Sequence, residues 1–254
     1  MVPQILAWFQ LELLSLLYVF GTVFFAALIR GYAGFGFSAL CVSSLALILP
    51  PAEVVPIVIL MEVAASIGML PSVWQQIRWR AIGLLLVGTM LGVPIGIYSL
   101  LVFSESLSRL LISSIILLGS LLLLIGIDLR PRPPLAVGTG FFAGVANGIG
   151  GTGGLPIALY FLATAATAAS TRASLVAVIL ILDVYTAVVS LVSGLLTPLV
   201  FQRFTGLVLP LALGVYIGSL QFSRTEPEAF RRLLIYFLIF LSLLGLGKLI
   251  VGTF

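Results

Sequence analysis

RGYAGFGFSAL, residues 30–40, sets an arginine and three glycines inside a run otherwise made almost entirely of apolar side chains. NGIGGTGGLPI, residues 147–157, repeats the device 117 positions later with five glycines and no charge. These two stretches decide the fold. In a bilayer each unsatisfied N–H or C=O costs several kcal/mol, so an irregular backbone is tolerated only where protein buries it or a polar cavity lies beside it. Two glycine-rich breaks in an apolar chain therefore imply a polar centre inside a bundle of helices.

Composition supplies the bilayer. Of 254 residues 61% are hydrophobic and 8% charged, against about 45–50% and about 25% in ordinary soluble domains. Charge-free runs at 81–103, 110–127 and 204–223 match the roughly 20 apolar residues needed to cross about 30 Å of hydrocarbon, and the run at 133–171 is long enough for two crossings. The N-terminal stretch has no basic region and carries Glu12 ahead of its apolar core, so it reads as a retained first helix rather than a cleaved signal. With no histidine and one cysteine, Cys41, the chain has no His/Cys metal site, intrachain disulfide or Ser-His dyad. No enzyme activity, metal or cofactor is expected. The net charge of +4 comes from eleven arginines and one lysine scattered at helix ends, which argues for topology signals and against nucleic acid.

The spacing predicts helices at 13–30, 36–49, 54–71, 81–103, 108–127, 135–147, 155–166, 172–196, 204–222 and 230–250. Pro50-Pro51, Pro71, DLRPRPP at 128–134, Thr197-Pro198 and RTEPEAFRR at 224–232 punctuate them. Sliding the sequence by 117 superposes Gly31, Gly34 and Gly36 on Gly148, Gly151 and Gly153, and Arg30 on Asn147. A slide of 122 superposes GVPIG at 92–96 on GVYIG at 214–218. The expectation is an all-α polytopic membrane protein of two diverged halves, 1–127 and 135–254, joined by a linker at 128–134. Five segments per half is odd, so the second half enters from the opposite side, giving an inverted repeat with broken or re-entrant helices at its centre. A re-entrant pair in each half leaves three spans, still odd.

Arg78, Arg80, Arg130, Arg132, Arg172, Arg224, Arg231 and Arg232 fall on one side of this arrangement, and Arg109, Arg203 and Lys248 on the other. The richer side is expected to be cytoplasmic and both termini to face the opposite side, outward.

The helix after each break starts with unpaired N–H groups and a positive dipole end, which favours an anion. Candidate substrate-binding residues are Arg30, Gly34, Gly36 and Ser38 in the first half and Asn147, Gly150, Gly151, Thr152, Gly153 and Gly154 in the second. Leu155-Pro156 suits a helix start. Gly88, Gly92 and Gly96, echoed by Gly214 and Gly218, are read instead as a packing stripe. Glu62 in MEVAAS and Asp183 in LDVYTA occupy related mid-helix positions. Intramembrane carboxylates are costly and mark function, so both are proton-coupling candidates. A structural ion pair with Arg30 or Arg172 is the competing reading, and Arg172 cannot reach Asp183 along its own helix. For Arg30 the competing reading is a side chain snorkelling to a membrane interface.

GFFAGVANGIGGTGGLPI at 140–157 resembles the glycine-rich signature of the sulfite exporter TauE/SafE family, also called the toluene sulfonate uptake permease family, and RGYAGFGFSAL resembles its first-half variant. IRWRAIGLLLVGTMLGVPIG at 77–96 and STRASL at 170–175 are similar to two further family regions. The resemblance implies a secondary carrier or facilitator for sulfite, a sulfonate or a related sulfur-containing anion in a bacterial inner membrane, which makes the outward-facing termini periplasmic. Membrane lipid, protons coupled through Glu62 and Asp183, and a second copy in a homodimer are the further partners considered. Ala33, Phe35 and Phe37 stand where the second half has Gly150, Thr152 and Gly154; unequal half-sites suit an anion with an oxyanion head and an organic tail. The alternative is a non-transporting membrane subunit or scaffold whose glycines serve only helix packing.

Overall fold

In a chain this apolar the backbone satisfies its own hydrogen bonds, and the computed structural model is helical throughout, with no strand among the described residues, 9–126, 132–163, 167–221 and 227–251 (backbone alone at 227–234 and 248–251). Most of the expected linker, the start of the 224–232 loop, Arg130 and Arg224, and the side chains of Arg231, Arg232 and Lys248 lie outside the described set. The helices are α1 (Leu13–Ala33), α2 (Phe37–Leu45), α3 (Pro51–Val73, prolonged by a 3-10 turn at Trp74–Gln76), α4 (Trp79–Val102), α5 (Glu105–Ile125), α6 (Pro133–Gly150), α7 (Gly154–Leu162), α8 (Ala168–Val192), α9 (Pro198–Gln221) and α10 (Pro227–Val251).

Local chemistry sets their ends. Gly34 closes α1 in the left-handed region, φ 79°, donating its N–H to Arg30 O at 2.8 Å, and Gly151 closes α6 at φ 63°, donating to Asn147 O at 2.7 Å. That conformation is costly for any side chain with a Cβ. Ser104 and Thr167 cap α5 and α8, accepting from Leu107 N and Ser170 N. Proline opens α3 and α9 at their first helical position. Pro71, expected to end the third helix, instead lies inside it, and Pro198 starts α9 six residues ahead of the expected 204.

Among the described residues six helices, α1, α3 with its 3-10 turn, α4, α5, α8 and α9, are long and apolar enough to cross a membrane. α2 and α7 have nine residues each, about 13 Å of rise, under half the hydrocarbon thickness.

The packing has a simple order. α4 lies on α6 and α1 on α9; α3 lies on α8 and α5 on α10; α3 also touches α9 as α4 touches α8, and α2 touches α10 as α5 touches α7. Exchanging α1–α5 for α6–α10 reproduces each of these pairings. Glycine makes the closest ones. A methyl at Gly92 would meet Phe141 O and Val145 N, one at Gly96 would meet Val145 O, and one at Gly144 would meet Thr89 O and Val93 N. The glycine stripe of α4 is thus packing, as the sequence suggests, and interlocks with a second stripe, Gly140, Gly144 and Gly148. Gly214 and Gly218 of α9 meet Phe24, Ala27, Leu28 and Tyr32 of α1 in the same fashion. In both contacts residue numbers rise together, so each pair is parallel.

Within the first half Tyr18 Oη donates to Ser44 O at 3.2 Å, so α2 folds back along α1. The C-terminal end of this hairpin is held by Arg109 of α5, which donates to Ala46 O at 2.9 Å and Leu49 O at 3.3 Å. Arg203 of α9 joins the same end through Phe9 O at 3.1 Å and Glu53 at 2.5 Å. At the opposite end α8 starts beside the α3–α4 turn, with Ser170 Oγ donating to Gln76 O and Arg78 N donating to Ser174 Oγ.

Candidate functional site

Arg30 lies in the last turn of α1, one turn before the left-handed Gly34. A guanidinium in hydrocarbon needs polar partners, and α3 together with the turn after α1 supplies them. Arg30 Nε is 2.9 Å from Glu62 Oε2, one terminal nitrogen donates to Ser66 Oγ at 2.6 Å, and the other donates to Gly34 O. The second Glu62 oxygen accepts the backbone N–H of Ser38 at 3.2 Å, in the first turn of α2. Glu62 therefore bridges a buried cation and a helix N-terminus, two features that each favour negative charge. Arg30 is 0% and Glu62 2% exposed, which removes the snorkelling reading and leaves the ion pair with Arg30 in place. Such a pair is sustained only with its remaining donors and acceptors filled, and removing one partner strands a buried charge at roughly 3–5 kcal/mol.

The second break has the same plan in neutral chemistry. Asn147, one turn before Gly151, donates to Asp183 Oδ1 at 2.8 Å and to Thr186 Oγ1 at 2.9 Å, and its Oδ1 accepts the Gly153 N–H at 3.2 Å. Asn147, Asp183 and Thr186 are all buried. In both halves the residue before the break reaches a carboxylate and a hydroxyl on the third helix of its own half. The clusters adjoin: Asp183 stands within electrostatic reach of Glu62 and Arg30, and a Cβ at Gly151 would sit 3.9 Å from Ser38 Cβ.

The remaining predicted positions divide. Gly36 precedes α2 at φ 94°, and Gly34 lies against the Arg172 side chain, a Cβ there coming 2.8 Å from its Cγ. Gly153 packs on Asn147 and Leu182. Gly150 faces Ile112 of α5, Gly154 faces Ile179 of α8, and the Thr152 hydroxyl donates to Ala146 O at 3.2 Å. Sequence reasoning missed Ser66, Thr186 and Arg172. The first two were visible as hydroxyls one turn after each acid, in MEVAAS and LDVYTA, where i+3 and i+4 share a helix face. Arg172 reads in the sequence as a topology signal and as an ion-pair partner for the buried acids, yet it is 8% exposed and donates to Gly31 O and, at 3.3 Å, to Ser219 Oγ. Among the described residues no group of three or more Asp, Glu, Cys or His gathers to hold a metal ion.

Buried ionisable side chains at paired helix breaks, inside a bundle with six described helices long and apolar enough to cross a bilayer, define a polytopic membrane protein with a polar interior. The profile of the family described as Sulfite exporter TauE/SafE matches residues 19–244. The chain belongs to that family, one of exporters rather than enzymes. Over 160 residues it is 32% identical to the Probable sulfite/organosulfonate exporter TauE of Cupriavidus necator, covering 59% of this chain and 61% of that protein. The chain thus spans about three fifths of the length of the curated relative it matches. No solved structure matches it.

Proposed function

We propose that the protein moves a small sulfur-containing anion, sulfite or an organosulfonate, across the bacterial cytoplasmic membrane, binding it between the two glycine breaks near the midplane. One observation carries this reading. Arg30 and the N-terminus of α2 converge on a single buried place, and that place is fitted to an oxyanion-like group, at present the carboxylate of Glu62. Asn147 and Ser38 border it from the two halves. The substrate class rests on the family and on the printed name of the relative.

An inverted repeat, 1–127 against 135–254, is supported by pairings that survive exchange of the halves. α1 runs parallel to α9, which starts near Glu53, while α6 runs parallel to α4, which starts near Ser174. The first helices of the halves then enter from opposite ends, each followed by a short returning segment. The end bearing Arg78, Arg80, Arg132 and Arg172 is assigned to the cytoplasm and both termini to the periplasm; strong activity from a cytoplasm-dependent reporter fused to the C-terminus would reverse this.

The scaffold alternative explains the stripes on α4, α6 and α9 but not a buried Arg–Glu pair at a break. Purified protein in liposomes separates the two. Saturable flux of sulfite or 4-toluenesulfonate is expected from the carrier, and a scaffold gives none. Glu62 and Asp183 are the carboxylates placed to couple that flux to protons.

A further inference from the structure

Glu62 stands where an anion would stand. One oxygen is ion-paired with Arg30 Nε at 2.9 Å and the other accepts the backbone N–H of Ser38, the places that a bound oxyanion would use. Building on the carrier reading above, we infer that Glu62 is an internal counter-anion, that the transported anion displaces it from Arg30 and Ser38, and that the displaced carboxylate takes up one proton.

The argument is one of charge. Two negative groups a few ångströms apart in a low-dielectric interior repel strongly, and one guanidinium does not hold both in that setting. The groups facing a displaced Glu62 offer no second cation that is not already engaged; Arg172 stands within electrostatic reach of Arg30 but is committed to other acceptors. From α1 there is Arg30, now engaged by the anion; from α2, Ser38 and the Cys41 thiol; from α8, the acidic Asp183. Arg172, also on α8, holds Gly31 O and Ser219 Oγ. On the other helices against α3, Arg203 is held by Glu53 and Phe9 O, and Arg109 by Glu105 and the end of α2. Arg80, near the start of α4, is exposed, and α6 carries no charged residue. An unpaired buried carboxylate neutralises rather than remain ionised. An O–H bond forms on Glu62 with a proton from the aqueous phase, no bond in the anion changes, and the charge of the cluster is the same before and after a monoanion binds.

The second half does not duplicate this. Asp183 is held by the neutral amide of Asn147 and not by a guanidinium, so an anion arriving at Arg30 evicts Glu62 and leaves Asp183 in place. The two acids then differ in kind: Glu62 exchanges, and Asp183 keeps the displaced site acidic.

Calorimetric titration of purified full-length protein with 4-toluenesulfonate and methanesulfonate, in buffers of different ionisation enthalpy, counts the protons. Neither anion titrates near neutrality, so protons taken up belong to the protein. Wild type is expected to take up about one proton per anion bound. Glu62→Gln should take up none and bind about tenfold more tightly or better, its competitor gone, while Glu62→Asp should restore the proton. Anion binding without proton uptake in wild type would overturn the inference without recourse to any variant. So would a Glu62→Gln protein that still takes up the proton, or transfer of the loss to Asp183→Asn. Absence of both binding and flux for these anions and for sulfite would sink the carrier reading itself, and the inference with it.

Discussion

The two breaks use one plan with different charges. In each, a side chain one turn before a left-handed glycine reaches a carboxylate and a hydroxyl on the third helix of its half: Arg30 to Glu62 and Ser66, Asn147 to Asp183 and Thr186. The first half carries a full ion pair across a helix N-terminus; the second carries an amide network closed onto Gly153 N. In the repeat proposed above, the difference teaches that equivalent places do not carry the same charge. A neutral half offers shape and fixed hydrogen bonds, and a charged half offers something an incoming ion can compete for.

The largest effect is expected away from both breaks. Gly92→Leu forces a side chain into Phe141 O and Val145 N, backbone that cannot yield, so detergent-soluble folded protein should be lost. A folded Gly92→Leu that lost only affinity would make α4–α6 part of the site rather than the frame common to both breaks. Next comes Gly151→Val. At φ 63° with Ser38 opposite, a β-branched residue strains the backbone and fills the space between the halves, and sulfonate binding should disappear by titration. Retained binding would show that the anion touches the first half alone.

The sharper contrast is between the two pre-break residues. Arg30→Ala should cost about 1.5–3 kcal/mol of affinity, the scale of a hydrogen bond to a charged group, or roughly ten- to a hundredfold, with Arg30→Lys recovering part because an ammonium lacks the planar fork. Asn147→Ala removes neutral donors and should cost about 0.5–1.5 kcal/mol, roughly two- to tenfold. Equal losses at the two positions, measured on folded protein, would erase the division of labour.

Much of this was legible in the sequence because hydrocarbon leaves few options. Charge-free runs and Pro/Gly punctuation gave ten helices, and the slide of 117 paired Arg30 with Asn147. The ends were less legible. Pro71 sits inside α3, a place membrane helices tolerate for proline, and α2 stops at Leu45 although apolar residues continue to Leu49. The side-chain partners were the least visible. Glu62 and Asp183 are 121 positions apart, not 117, and each meets a donor more than thirty residues away, a choice made by helix packing rather than by any local pattern. Gly150 and Gly154 belong to the same motif as Gly151 yet face Ile112 and Ile179, since successive helical positions point in different directions.

The central claim is that one anion is shared by both breaks, and a double-mutant cycle tests it most directly. 4-Toluenesulfonate is titrated into wild type, Arg30→Ala, Asn147→Ala and the double variant. Residues that contact a common ion, or act through one network, are not additive. A single site per chain and a coupling of about 1 kcal/mol between the two substitutions are expected. Losses that add to within about 0.3–0.5 kcal/mol, the behaviour of independent positions, would contradict the account and leave the two breaks as separate features of the fold.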